Sequence, residues 1–111
     1  MVDRSASLPP LTRVRDVLDG QVEDGTHAVL LGSFVDVITA RNEQSGLWAR
    51  GLLVDDTGAV QFWLLPRAFT RTDHKYLDGA TQVVVNACVS VSDTLTALVI
   101  NQVSRHGSAN A

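Results

Sequence analysis

Residues 47 to 66 constrain the fold more than any other part of the sequence, because two alternating runs meet at Asp55, Asp56, Thr57 and Gly58. Successive side chains of a strand point to opposite faces. Alternation therefore puts Ala49, Gly51 and Leu53 on one side of the first run and Trp48, Arg50 and Leu52 on the other. On the second run Val60, Phe62 and Leu64 face a core, which leaves Gln61 and Trp63 outward. Both tryptophans of the chain then share a hairpin face with a guanidinium and an amide. Such a surface is able to stack on and hydrogen-bond an unpaired base.

The remaining runs extend the β pattern. His27 to Ala40 is rich in β-branched and aromatic residues and reads as a long first strand with a bend or bulge at Gly32. Asn42 to Gly46 is a polar turn into the Trp48 strand. Pro66 closes the Trp63 strand and opens a helix over Arg67 to Leu77, with Ala68, Phe69, Thr72 and Tyr76 near one face. Val83, Val85, Ala87, Val89 and Val91 form the apolar face of a fourth strand, and a fifth follows the turn at Asp93 and Thr94. Ahead of all of these, Thr12 is expected to N-cap a short helical turn that Gly20 ends and that plugs one end of a barrel. Residues 1 to 11 read as a mobile lead-in, 12 to 104 as one domain, and 105 to 111 as a frayed tail.

Three strands, a helix and two more strands is the order of an all-β, five-stranded OB-fold Greek-key barrel, here with a short N-terminal helix. The resemblance goes beyond order. Gly32, Ser45, Gly46, Ala49, Leu53, Asp55, Thr57, Gly58, Val60, Pro66 and Phe69 stand where the OB domain near the C-terminus of the bacterial replicative DNA polymerase III alpha subunit has its motif residues. The chain resembles that domain from about residue 12 to residue 103, and the resemblance implies single-stranded DNA contact on the barrel face. It also departs from it. The first loop carries only Arg41 where the family usually has several basic residues. Arg50 and Trp63 replace apolar residues of ordinary size, and 111 residues leave no room for a polymerase catalytic region.

Charge limits the mechanism. A net charge of −3 argues against a protein that coats nucleic acid by bulk electrostatics, so any binding must be local. Eight of the nine basic residues are Arg, which pairs with phosphate and also stacks on rings, although a GC-rich genome alone gives the same bias. Arg67, Arg71 and Lys75 recur every four residues and would line one helix face, either as a solvated surface or as an electropositive track.

Other chemistry finds little footing. Asp55 and Asp56 before Thr57 and Gly58 are ordinary turn residues. His27, His74 and His106 are scattered without ligand spacing, so no metal is expected, and no cofactor or nucleophile motif is present. Cys88 lies opposite the valine face as a small packing residue and has no internal disulfide partner. With no apolar run near membrane length and no secretory signal, the chain reads as a cytoplasmic protein that makes no membrane contact. The expected function is non-enzymatic binding of single-stranded nucleic acid, DNA before RNA, through Trp48, Arg50, Gln61, Trp63 and Arg41. The alternative is docking of a protein partner, such as a replication protein or a second copy, on the same face, with outward Leu52 and Leu65 beside the rings.

Overall fold

The computed structural model describes residues 11–79 and 81–105. His106 and most of the lead-in and tail expected at the two ends lie outside the described residues. The elements in chain order are β1 (Leu11–Thr12), α1 (Val14–Leu18), β2 (His27–Asn42), β3 (Gly46–Asp55), β4 (Gly58–Leu64), α2 (Pro66–Thr70), a 3-10 turn (His74–Asp78), β5 (Val83–Val91) and β6 (Thr96–Arg105).

β2 is long enough to serve two neighbours in succession. From His27 to Gly32 it pairs antiparallel with β5, and from Ser33 to Asn42 it pairs antiparallel with β3. β3 continues through the Asp55–Gly58 turn into β4, β4 runs parallel to β6 at Gln61 to Trp63, and β6 returns antiparallel along β5. The five long strands thus close a barrel in the order β2, β3, β4, β6, β5 and back to β2. This is the OB fold, with its helix between the third and fourth barrel strands and a short helix before the first.

Closure gives every strand an inner face. Leu30, Phe34, Ala49, Leu53, Val60, Phe62, Leu64, Val83, Val85, Val89, Leu98 and Ile100 are all buried there. The rings of Phe34 and Phe62 meet at 4.6 Å and 41° in the middle. The two helices seal the barrel: α1 contributes buried Val14 and Val17 against β3 and β4, and α2 contributes Ala68 and Phe69 against β3 and β6.

Several local expectations are corrected. Leu11 is not part of a free lead-in, because its backbone pairs in parallel with Val29, next to Thr12 with Leu30. Arg105 likewise pairs with Val83 and belongs to β6 rather than to a tail. The helix expected from Arg67 to Leu77 stops at Thr70. Asp73 is the reason: its carboxylate accepts a hydrogen bond from the Lys75 N–H at 3.1 Å and so caps a new 3-10 turn, which competes with continuing the first helix. Gly32 is not the bulge. It marks the changeover of β2 from β5 to β3, and a Cβ there would lie 2.5 Å from the Val54 carbonyl oxygen. The bulge falls between Val35 and Ile38.

The first helix is not capped by Thr12 either. Arg13 occupies the N-cap position with no side-chain cap bond. The first-turn N–H groups are met from the β3–β4 turn instead: the Val14 N–H donates to Asp55 Oδ2 at 2.9 Å, 41 residues away, and the Arg15 N–H donates to Thr57 Oγ1 at 3.0 Å, 42 residues away. Asp55 Oδ1 meanwhile accepts from the Thr57 N–H, the Thr57 hydroxyl and the Gly58 N–H. One carboxylate therefore shapes the β3–β4 turn and seats α1 on it. Burial alone would raise the Asp55 pKa, but the Thr57 hydroxyl and the backbone N–H groups of Val14, Thr57 and Gly58 outweigh it and hold the carboxyl below its ordinary value.

A group whose pKa is depressed by folding contributes stability above its unfolded pKa and loses it as pH falls through the folded value. Replacing Asp55 by Asn, which turns an amide toward a backbone donor, is expected to cost about 2 kcal/mol near neutral pH. The difference from the unaltered protein should shrink as pH drops below about 4. Urea unfolding at pH 7 and pH 3 checks this, and an equal difference at both pH values would contradict the role given to the charge.

Candidate nucleic-acid interface

The outward face of the β3–β4 hairpin is assembled by pairing register. Arg50 sits directly opposite Trp63, Leu52 opposite Gln61, and Trp48 lies diagonal to Trp63. The two indoles meet at 5.8 Å between centroids, tilted by 34°. At that separation they touch each other and form one platform rather than an open clamp. Both are half-buried, while Arg50 and Gln61 are exposed. The inward neighbours Ala49, Leu53, Val60, Phe62 and Leu64 are buried, so the hairpin is held rigidly from behind. Four of the five residues expected in the site are thus on one face.

Arg41 is not on it. It pairs with Leu47, whose side chain alternates with that of Trp48, so Arg41 projects from the opposite side of the β2–β3 hairpin. Counting residues to the loop could place Arg41 near the tip but could not fix its parity across the bulge.

β2 extends the face in a way the sequence reading missed. Ile38 pairs with Arg50, and Val35 pairs with Leu52, so both share the outward face, exposed at 53% and 38%, and Ile38 lines a recess with Trp63. Between them Asp36 and Val37 together oppose Gly51, which makes the bulge. Asp36 has a φ of 55°, in the left-handed region that Asp tolerates better than most residues. Asp36, Ile38, Arg50, Leu52, Gln61 and Trp63 surround a recess of about 160 Å3, with Gly51 and Phe62 at its floor. A lone carboxylate inside the otherwise apolar run from Val35 to Ile38 was the available signal for both the bulge and the recess.

Arg67 and Arg71 of the α2 region line a shallow groove with Pro66, Thr70 and Ser45 of the β2–β3 turn. The single helix face expected for Arg67, Arg71 and Lys75 is broken there. Lys75 stands on the separate 3-10 turn, 3.7 Å from the Asp73 carboxylate, because the helix that would have aligned it ends at Thr70. Among the described residues no group of three His, Cys, Asp or Glu side chains gathers where it could hold a metal ion. No helix among them is long and apolar enough to cross a membrane. Cys88 is half-buried on the outer side of β5, opposite buried Val83, Val85, Ala87 and Val89, as its place in the alternation indicated.

No protein-family model matches the chain. Among curated proteins, DNA polymerase III subunit alpha of Mycobacterium leprae (strain TN) is 33% identical over 92 residues, which cover 82% of this chain and 8% of that protein. DNA polymerase III subunit alpha of Mycobacterium tuberculosis (strain ATCC 25618 / H37Rv) is 30% identical over 101 residues, 90% of this chain and again 8% of the relative. The chain therefore spans about 8% of the length of the curated relatives it matches. Among solved structures, the hypothetical protein ygiW from E. coli superposes with a TM-score of 0.56 at 17% identity, covering 86% of this chain and 89% of that one. At this identity the likeness concerns the fold.

Proposed function

We propose that this chain is a non-enzymatic OB-fold module that binds single-stranded DNA, with Trp48 and Trp63 as its stacking platform. The observation that carries the reading is the contact of the two indoles on the outward hairpin face, flanked by Arg50 and Gln61. Every base has a π-face, so stacking works without sequence readout and contributes about 1–3 kcal/mol per base. Similarity to a segment of a DNA polymerase subunit supports a nucleic-acid partner and a setting in DNA replication.

Charge sets the scale of the phosphate contribution. This reading assigns the phosphate contacts to Arg50 on the face and to Arg67 and Arg71, which line the groove at the β2–β3 turn. Three phosphate contacts on a single strand correspond to a slope of about −2 for log affinity against log salt. Quenching of tryptophan fluorescence by a thymidine oligonucleotide, titrated across a salt series, tests both claims. Absence of quenching at low salt would remove the function, and a much steeper slope would mean that electrostatics rather than stacking holds the strand.

A second reading rests on Ile38 and Val35, exposed apolar residues on the same outward face as the rings. On that reading the face docks a protein partner or a second copy of the chain. A dimer in sedimentation that dissociates on Ile38→Lys would favour it, whereas a monomer at all concentrations would exclude self-association.

A further inference from the structure

The recess beside Trp63 contains a group that a phosphate-binding surface would avoid. Asp36 is a carboxylate on the very face where a negatively charged strand is proposed to run. Its position there is specified by the fold. Alternation from buried Phe34 would turn residue 36 inward, but the extra residue of the bulge lets Val37 pack on the core and leaves Asp36 exposed. Gly51 makes room for this: a Cβ at that position would meet the Val35 carbonyl oxygen at 2.9 Å and the Asp36 carbonyl oxygen at 3.0 Å. Among the described residues, the side chains of Asp36, Arg50 and Gln61 have no hydrogen-bond or ion-pair partner. All three are exposed polar groups around the recess, so a ligand would meet them in exchange for water.

We propose that this recess reads the Watson–Crick edge of one unpaired guanine in single-stranded DNA, with Asp36 as the residue that sets the preference. The proposal rests on the stacking function proposed above and deepens it. At about 160 Å3 the recess is smaller than the roughly 300–1,000 Å3 of drug-sized ligand sites, which suits one ring system rather than a cofactor. A carboxylate only accepts hydrogen bonds, so it selects donors. Guanine is the DNA base with two adjacent donors on this edge, N1–H and the N2 amino group, matched to the two carboxylate oxygens. Its O6 acceptor then faces the donors of Gln61 or Arg50, and Trp63 supplies the ring surface. Thymine offers one N–H between two carbonyl oxygens, and those oxygens oppose the carboxylate. Adenine and cytosine each place an acceptor nitrogen next to their single amino group, which is again unfavourable.

Three strands of about 12 nucleotides test the idea by tryptophan quenching: all thymine, one central guanine in thymine, and one central hypoxanthine, which lacks the N2 amino group. The guanine strand is expected to bind about tenfold more tightly than all thymine, with hypoxanthine between them. Asp36→Gly retains a residue that accepts the left-handed backbone. In that variant the three affinities should converge, with the all-thymine affinity equal or higher. Equal affinities in the unaltered protein would overturn the guanine preference and leave the stacking function standing. A preference that survives Asp36→Gly would overturn the role of Asp36. No quenching by any strand would remove the function itself and this inference with it.

Discussion

Gly32→Ala is expected to destabilise the barrel by about 3 kcal/mol, near the upper end of the usual cost of overpacking. The added Cβ would stand 2.5 Å from the Val54 carbonyl oxygen and 3.2 Å from Leu53 Cδ1. A flexible side chain can swing away, but a carbonyl in a paired strand cannot move without taking its ladder along. Gly32 is the last residue of β2 paired with β5, and Ser33 is the first paired with β3, so the strain falls where the barrel turns its corner. Since domains of this kind are stable by only about 5–15 kcal/mol, the loss would be plain in the urea midpoint. Gly58→Ala is the control. Its Cβ would find nothing nearer than Val14 Cγ1 at 3.6 Å, an ordinary contact, and the midpoint should hardly move. Equal effects at the two positions would contradict the close approach at Gly32.

Replacing both Trp48 and Trp63 by Ala is expected to weaken single-stranded DNA binding about 30-fold, and either replacement alone about tenfold. The two effects should not simply add. The rings touch at 5.8 Å, so each supports the orientation of the other, and contacting residues couple. Trp63→Phe keeps a ring and should recover part of the affinity. Because the fluorophores are the residues removed, binding is followed by anisotropy of a labelled strand. The fold should survive, since the buried inner residues Val60, Phe62 and Leu64 are untouched and both indoles are only half-buried. A folded double variant that binds as well as the original would locate the strand elsewhere.

These expectations draw on two kinds of information. Alternation in β3 and β4 was legible because a strand has a period of two and one of its faces is buried: every assignment from Trp48 to Leu64, inward or outward, follows that parity. The strand order was legible for a related reason, since turn residues at Asn42, Asp55, Gly58 and Pro66 punctuate runs rich in β-branched and aromatic residues with a period of two. Arg41 shows where this reasoning stops. Its side depends on the bulge between Val35 and Ile38, and one extra residue reverses the parity of everything beyond it.

The chain by itself determined an all-β barrel, its hairpin, its buried face and the pair of tryptophans outside. These are consequences of local periodicity and turn chemistry, which act over a few residues. Tertiary structure alone decided what those tryptophans stand among. Closure of β2 onto both β5 and β3 brought Ile38 and Asp36 beside them, and Asp55 was recruited to cap a helix 41 residues earlier. Asp73 separated Lys75 from the helix face of Arg67 and Arg71 by starting a new turn. Contacts between distant residues depend on how the whole sheet closes, and no window of sequence contains that information.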